Sequence, residues 1–321
     1  MKLGLLTVMF SDKPLRDVLE MIRPLELDCV ELGTGNYPGN AHCNPKELLA
    51  SKPKRDELKA MLKGEGLTIS ALSCHGNCLH PDAAQAKAYQ HVQTDTIKLA
   101  KELGVKVVID FSGCPGSDEK STKPNWVTCP WPPDYLEVLE WQWDKKVIPY
   151  WTKQAKFAKD HGVKVAFEMH PGFVVYNTET MLKLRGACGA NLGANFDPSH
   201  LFWQGMEPIE SLKALGGNAI FHVHAKDSRV DPVNTAVNGV LDTKHYGDEA
   251  KRSWIFRTCG YGHGITWWKD FFSTLRMLGY DGPISIEHED SLMSSWEGLT
   301  KAVAMLKEAV IFEKPSAITW A

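Results

Sequence analysis

The sequence lacks a long apolar run, an excess of basic residues and any cysteine pair of the CxxC type. No apolar segment approaches the roughly 20 residues that a membrane-spanning helix needs. Lysine and arginine number 36 against 39 aspartates and glutamates, so the formal net charge is -3. That balance excludes the basic footprint of a nucleic-acid-binding protein and a polybasic membrane anchor. We therefore expect neither nucleic acid nor a membrane among the partners of this chain.

The eight cysteines do not predict a disulfide framework, because a chain of 321 residues can bury a large core without covalent staples. Residues 74–78 read Cys-His-Gly-Asn-Cys, but no second pair follows at the spacing of a structural zinc site. The apolar N-terminus continues into Ser11 and Asp12 without a small-residue cleavage site, which is typical of a first strand rather than a signal peptide. The expectation is a reduced, cytoplasmic protein.

Short apolar segments alternate with amphipathic segments along the whole chain. The apolar segments are rich in valine, isoleucine, leucine and phenylalanine without strict alternation, as expected of strands buried on both faces. Eight of them are predicted strands, at 3–7, 28–32, 67–73, 105–110, 163–168, 192–196, 219–224 and 283–287. Eight amphipathic segments are predicted helices, at 15–22, 45–63, 82–103, 135–161, 178–185, 208–215, 267–278 and 294–313. Gly104 and Gly162 are typical of left-handed caps between a helix and the next strand.

Eight strands that alternate with eight helices predict a (β/α)8 TIM barrel, an α/β fold. A doubly wound open sheet is the alternative, but no G-x-G-x-x-G motif follows the first strand. Residues 1–321 are interpreted as a single domain. Two long segments, 111–134 and 228–266, are expected to be irregular loops after strands 4 and 7. Both would lie on the C-terminal face of the barrel, where active sites are built; insertion without function, or an oligomer contact, is the alternative.

The last four predicted strands each end in a carboxylate or an imidazole. These residues are Glu168, Asp197, His224 and Glu287. In a closed barrel such strand ends converge above the core, and burying four ionisable groups there without a cation would be costly. Three carboxylates and one imidazole suit one divalent metal ion, with manganese expected first and magnesium, cobalt or zinc as alternatives. His222 shares a strand face with His224 and is the alternative imidazole ligand.

Other polar residues follow the same strand ends, where a substrate would bind. The candidate substrate-binding residues are His75, His170, His200, Lys226, Arg229 and Arg257. The strongest candidate is His200, because the sequence Asp-Pro-Ser-His at 197–200 holds it beside a proposed ligand. For Glu31, Asp227 and Arg257, a role at the site and a paired position at the rim are alternatives.

These strand-end motifs resemble the xylose isomerase-like TIM-barrel superfamily, the sugar phosphate isomerase/epimerase group. The resemblance covers nearly the whole chain. It rests on Phe-Glu-Met-His at 167–170, Asn-Phe-Asp-Pro-Ser-His at 195–200, His-Val-His-Ala-Lys-Asp at 222–227, Gly-Tyr-Asp-Gly at 279–282 and Ile-Ser-Ile-Glu-His-Glu-Asp at 284–290. It implies an enzyme of carbohydrate metabolism in a superfamily that includes ketose 3-epimerases, inosose enzymes and enzymes that cleave 3-keto-glycosides.

The resemblance to ketose 3-epimerases implies that Glu168 and Glu287 bind the metal and also move the proton. It implies substrate contacts from His200 and from a basic residue after the metal histidine, either Lys226 or Arg229. The leading prediction is a sugar isomerase or epimerase that works through an enediolate held by the cation.

A lyase or hydrolase of 3-keto-glycosides, including C-glycosides, would use the same site, and the long mouth loops favour a larger substrate. A third hypothesis is that the protein is not an enzyme and serves as a sugar-binding or partner subunit. A homo-oligomer or a complex with a small partner subunit is left open.

Overall fold

The structure, a computed structural model, describes residues 1–319. Within that range eight parallel strands close into a barrel in chain order, and the last strand, Pro283–Ile286, pairs with the first, Lys2–Leu6. The barrel strands are β1 (Lys2–Leu6), β2 (Cys29–Gly33), β3 (Thr68–Ser73), β4 (Val107–Asp110), β5 (Lys164–Glu168), β6 (Leu192–Phe196), β7 (Ile220–Ala225) and β10 (Pro283–Ile286). The (β/α)8 barrel predicted from the sequence is confirmed.

Helices pack around the barrel. They are α1 (Leu15–Ile22), α2 (Pro45–Ala50), α3 (Lys52–Gly64), α4 (Ala83–Leu103), α5 (Asp134–Trp141), α6 (Ile148–Asp160), α7 (Thr178–Cys188), α8 (Ser199–Phe202), α9 (Pro208–Leu215), α10 (Pro232–Asn238), α11 (Ile265–Met277) and α12 (Ser295–Ala309). No helix among the described residues is both long and apolar enough to cross a membrane.

Two predicted helices are divided in the structure. The helix predicted over 45–63 is α2 and α3, because Ser51 has extended backbone and caps α3 by accepting a hydrogen bond from the Lys54 N–H. Pro53 in the first turn of α3 is tolerated there but would break a continuous helix. The helix predicted over 135–161 is α5 and α6, joined by a π-helical turn at Gln142–Val147.

Aromatic side chains fill the space between the helices and the barrel. Trp151 of α6 packs edge-on against Phe167 of β5, with ring centroids 4.4 Å apart. Phe271 of α11 packs against Phe196 of β6 at 5.8 Å. Because both faces of these strands are buried, they read as continuous apolar segments, as the sequence pattern predicted.

The segment after β7 is a folded insert, which corrects the irregular loop predicted over 228–266. Strands β8 (Asp227–Val230) and β9 (Trp254–Arg257) form an antiparallel ribbon, and α10 lies between them in the chain. The buried carboxylate of Asp227 accepts hydrogen bonds from the backbone N–H groups of Gly262 and His263, at 3.1 and 2.8 Å. Asp227 therefore anchors this ribbon insert, residues 227–263. Residues 111–133 contain no helix or strand, as predicted.

Candidate active site

The barrel brings together the four residues proposed as metal ligands. Glu168 is the last residue of β5, Asp197 follows β6, His224 lies in β7 and Glu287 follows β10. One nitrogen or oxygen atom from each lies within 4.8 Å of those of the others. The cluster forms because neighbouring parallel strands end at the same edge of the barrel. His222, the alternative imidazole, is not part of this group.

Three atoms of this cluster are buried without a hydrogen-bond partner among residues 1–319: Asp197 Oδ2, His224 Nδ1 and Glu287 Oε2. The other carboxylate oxygen of Asp197, Oδ1, is held by the backbone N–H of Ser199 at 2.8 Å. Buried polar atoms are almost always hydrogen-bonded. One donor atom from each of these three residues lies within 4.8 Å of those of the others, an arrangement that could hold one metal ion. Together with Glu168 they offer three oxygen donors and one nitrogen donor, a set that fits a divalent cation.

Glu31 fixes the orientation of His224. The His224 Nε2 atom lies 3.1 and 3.0 Å from the two Glu31 oxygens, and Ser73 Oγ also donates to this carboxylate. Because Nε2 donates its proton to Glu31, Nδ1 is turned toward the cluster. His222 lies beside this pair, with its Nδ1 atom 2.9 Å from Asn195 Oδ1. Glu31 is therefore a fully buried partner of the cluster rather than a rim residue.

The role of Glu31 was left open by the sequence, although one signal was present. Glu31 follows the buried residues Cys29 and Val30 near the end of β2, which is the same pattern that pointed to Glu168. The missing information was its partner, because His224 lies far away in the sequence and meets Glu31 only when the barrel closes.

Imidazole groups surround Glu168. His75 Nε2 lies 2.9 Å from Glu168 Oε2, and His200 Nε2 lies 3.0 Å from Oε1. Burial alone would raise the pKa of Glu168, but the neighbouring imidazoles, including His224, outweigh it and hold that pKa well below the usual value. Glu168 is therefore ionised at neutral pH.

Lys226 offsets the negative charge of Glu287 in the cluster. Its ammonium group is 2% exposed and lies 3.3 Å from Glu287 Oε2, and it also pairs with Glu289. Burial would raise the pKa of Glu287, but Lys226 and His224 together outweigh burial and lower the pKa to about 2. The pKa of Asp197 is instead raised, because burial outweighs the attraction of His200 and Lys226.

An inner cavity of about 170 Å³ opens directly onto the cluster. Of the candidate substrate-binding residues, His75, His170 and Lys226 line this cavity, and His200 lines a neighbouring one. Burial lowers the pKa of His170 to about 3, and the nearby His200 adds to this effect. His170 Nδ1 lies 2.6 Å from the Pro171 carbonyl and donates to it, which leaves Nε2 as an acceptor.

Two of the candidate substrate-binding residues lie elsewhere. Arg229 is exposed on β8 and lines neither the inner cavity nor the larger ones beside it. Arg257 pairs with Asp290, at 3.1 Å between Nε and Oδ2, at the base of the ribbon insert. Arg229 was proposed as the basic residue after the metal histidine, and Arg257 because it lies in the long segment after β7. The pairing of β8 with β9 places neither arginine in the lining of these three cavities.

Comparisons with known proteins agree with this architecture. A profile of the xylose isomerase-like TIM barrel family matches residues 19–309. The uncharacterized protein YfiH of Bacillus subtilis (strain 168) is 41% identical over 313 residues, which are 97% of this chain and 99% of that protein.

More distant relatives have named activities or ligands. The inosose dehydratase of Clostridium botulinum (strain Alaska E43 / Type E3) is 31% identical over 160 residues, 49% of this chain and 51% of that enzyme. The crystal structure of an IolI protein with a bound zinc atom superposes with a TM-score of 0.65 at 20% identity, covering 97% of this chain and 98% of that one. From the family profile and the long match to YfiH, this chain belongs to the xylose isomerase-like TIM barrel family.

Proposed function

We propose that this protein is a divalent-metal-dependent enzyme that removes the proton next to the carbonyl of a sugar and returns a proton, as an epimerase or isomerase. The observation that carries the proposal is the cluster of three carboxylates and one imidazole at the end of the barrel, in which the buried atoms Asp197 Oδ2, His224 Nδ1 and Glu287 Oε2 have no hydrogen-bond partner among the described residues. A site that only bound sugars would not need such a costly concentration of buried ionisable groups.

Glu168, Asp197, His224 through Nδ1, and Glu287 would hold the ion. When bound, a divalent cation polarises a carbonyl oxygen and an adjacent hydroxyl oxygen, which makes the C–H proton on the hydroxyl-bearing carbon more acidic. The zinc atom in the IolI structure supports a divalent metal in a protein of this fold, and the donor set here also accepts manganese, magnesium or cobalt.

Glu168 and Glu287 are the proposed acid/base pair. Both carboxylates are ionised, so either can accept a proton from the substrate carbon. His75 and His200 each hold one oxygen of Glu168, which orients that carboxylate toward the inner cavity. One carboxylate removes the proton from the substrate carbon, and the other first takes a proton from solvent and then delivers it to the opposite face, which inverts the carbon. Delivery to the neighbouring carbon instead moves the carbonyl.

Deuterium exchange tests this proposal. Incubation with free ketoses in D₂O and Mn²⁺ should place deuterium on the carbon next to the carbonyl, detected by NMR. Glu287→Gln should abolish the exchange, and the matched control Glu308→Gln, on an exposed carboxylate of α12, should retain it. Exchange at full rate in Glu287→Gln would contradict its assigned role. Sugar binding without exchange for every ketose would instead favour a binding subunit.

A lyase is the second candidate, and the similarity to inosose dehydratase over about half of that enzyme favours it. Elimination starts with the same proton transfer but then expels a group from the next carbon, so the same carboxylates would serve. A screen of keto-inositols and 3-keto-glycosides separates the two. Loss of water or of an aglycone supports a lyase, and an epimeric or isomeric product of unchanged mass supports the leading proposal.

A further inference from the structure

Two outer cavities adjoin the inner cavity. Their volumes are about 410 and 380 Å³, compared with about 170 Å³ for the inner one. His170 borders all three cavities, Glu289 borders the inner and the first outer cavity, and Tyr246 borders both outer cavities. The three spaces therefore form one cleft that leads from the cluster to the ribbon insert.

The inner and outer cavities differ in size. The inner cavity is smaller than the roughly 300–1,000 Å³ typical of small-molecule sites, whereas each outer cavity falls within that range. A ligand that filled only the inner cavity would leave most of the cleft unused. The shape of the cleft therefore suits a ligand with a second part outside the inner cavity.

The ribbon insert gives the outer cavities an aromatic wall. Trp254 of β9 stacks on Trp203 with ring centroids 4.5 Å apart, and Tyr246 stacks on Phe256 at 5.8 Å. The guanidinium of buried Arg252 lies 4.4 Å from the centre of the Tyr246 ring. These contacts hold the ring of Tyr246 in place, and the residue is nevertheless 54% exposed. A fixed, exposed ring of this kind is a ready stacking surface.

The described lining of the outer cavities offers no free positive charge. Among the residues described there, none is lysine or arginine, and the two carboxylates are already paired, Glu289 with Lys226 and Asp242 with Lys244. Phosphate groups are bound by cationic side chains or by clusters of backbone N–H groups. A phosphate or nucleotide at this end would find no lysine or arginine side chain in the described lining, which favours an uncharged second part of the ligand.

We infer that the outer cavities bind the second part of a glycoside, an uncharged group that presents a flat apolar face, while the carbonyl-bearing ring occupies the inner cavity. This inference rests on the proposed function and narrows its substrate class. An aryl aglycone and a second sugar ring both present such a face to an aromatic side chain.

Calorimetric titration in the presence of Mn²⁺ tests the inference. The probes are the 3-keto forms of the methyl and 4-nitrophenyl glycosides of glucose, galactose, mannose and xylose, together with 3-keto-cellobiose, 3-keto-lactose and 4-nitrophenyl phosphate, so that each sugar probe carries a carbonyl. At least one 4-nitrophenyl glycoside, or one of the two disaccharides, should bind about ten-fold more tightly than the matching methyl glycoside, because the second ring gains a stacked face. A preference for the aryl probes identifies an aglycone, and a preference for the disaccharides identifies a second sugar.

Variants of two exposed tyrosines provide the control. Tyr246→Ala should remove the ten-fold preference, and Tyr246→Phe should retain it because the ring remains. The matched control Tyr261→Ala, on the same insert but outside the cavities, should bind like the wild type. Equal binding of all glycosides, a preference that survives in Tyr246→Ala, or tighter binding of 4-nitrophenyl phosphate would each overturn the inference.

The acid/base chemistry and the outer binding site can be refuted independently of each other. Deuterium exchange into free ketoses needs only the inner cavity, so exchange without any preference for a second ring would overturn the outer site alone. A preference for a second ring that depends on Tyr246, without exchange for any carbonyl substrate, would support the outer site and refute the acid/base chemistry.

Discussion

Replacing Glu31 with glutamine removes the negative charge behind the imidazole of His224. Both oxygens of Glu31 lie within 3.1 Å of His224 Nε2, and the carboxylate has no exposed surface. A buried hydrogen bond to a charged group contributes about 1.5–3 kcal/mol. Glutamine has nearly the same shape and can still accept one hydrogen bond from Nε2, so only part of that contribution is lost. We expect the affinity for Mn²⁺ to fall about 10- to 100-fold, as for other changes behind a ligating histidine.

Titration with Mn²⁺ by calorimetry measures this effect, and thermal unfolding without metal shows whether the fold is retained. Asp110→Asn is the matched control, because Asp110 is an equally buried strand-end carboxylate that bonds Gln93 and the backbone of Gly76 instead of the cluster. Its Mn²⁺ affinity should stay within about three-fold of the wild type, a difference of less than about 1 kcal/mol. Unchanged affinity in Glu31→Gln, or an equal loss in both variants, would refute the idea that Glu31 positions His224.

Three further outcomes follow from the same geometry. Dialysis against a chelator should lower the melting temperature, and Mn²⁺ at one hundred times its dissociation constant should restore about 2.7 kcal/mol of stability; identical melting with and without manganese, magnesium, cobalt and zinc would contradict a metal site. Lys226→Met should lower the free energy of unfolding by about 3–5 kcal/mol in urea, because it leaves buried carboxylates without their lysine partner. The control Lys213→Met removes a lysine from an exposed pair and should change the free energy of unfolding by less than about 0.5 kcal/mol. Equal effects of the two substitutions would refute the buried role of Lys226. Burial raises the pKa of Asp110 to about 7. The protonated carboxyl therefore contributes fully to stability below about pH 4, and this contribution is lost as the pH rises through about 7, by at most about 1.4 kcal/mol per pH unit. Urea unfolding between these pH values should show that the free energy of unfolding depends less steeply on pH in Asp110→Asn than in the wild type.

The core pattern of the barrel was predictable because it is local. Strands buried on both faces leave continuous apolar segments, and the glycines at helix ends mark the boundaries, as at Gly104 and Gly162, both with positive φ. The convergence of the four proposed metal ligands was predictable for a related reason. Once the strand ends are known, the closed parallel barrel requires them to meet, and Glu168 and Asp197 could be read directly from the sequence.

The ribbon insert was not predictable in the same way. Its strands β8 and β9 have four residues each and are partly exposed, so they carry no continuous apolar signal. The signal was further weakened by the glycine-rich segment around Gly260 and Gly262. Arg229 and Arg257 were therefore assigned to the mouth, although the pairing of the two strands places them outside the cavities.

The sequence by itself determined the alternation of strands and helices, the parallel barrel and the ring of carboxylates at its end, because each depends on short-range patterns and on the rule that parallel strands end at one edge. Only the tertiary structure decided the pairing of Glu31 with His224, the contact of Lys226 with Glu287 and the aromatic wall that Tyr246 completes. These contacts join residues far apart in the chain, and their distances are set by barrel closure and by the packing of the ribbon insert against it.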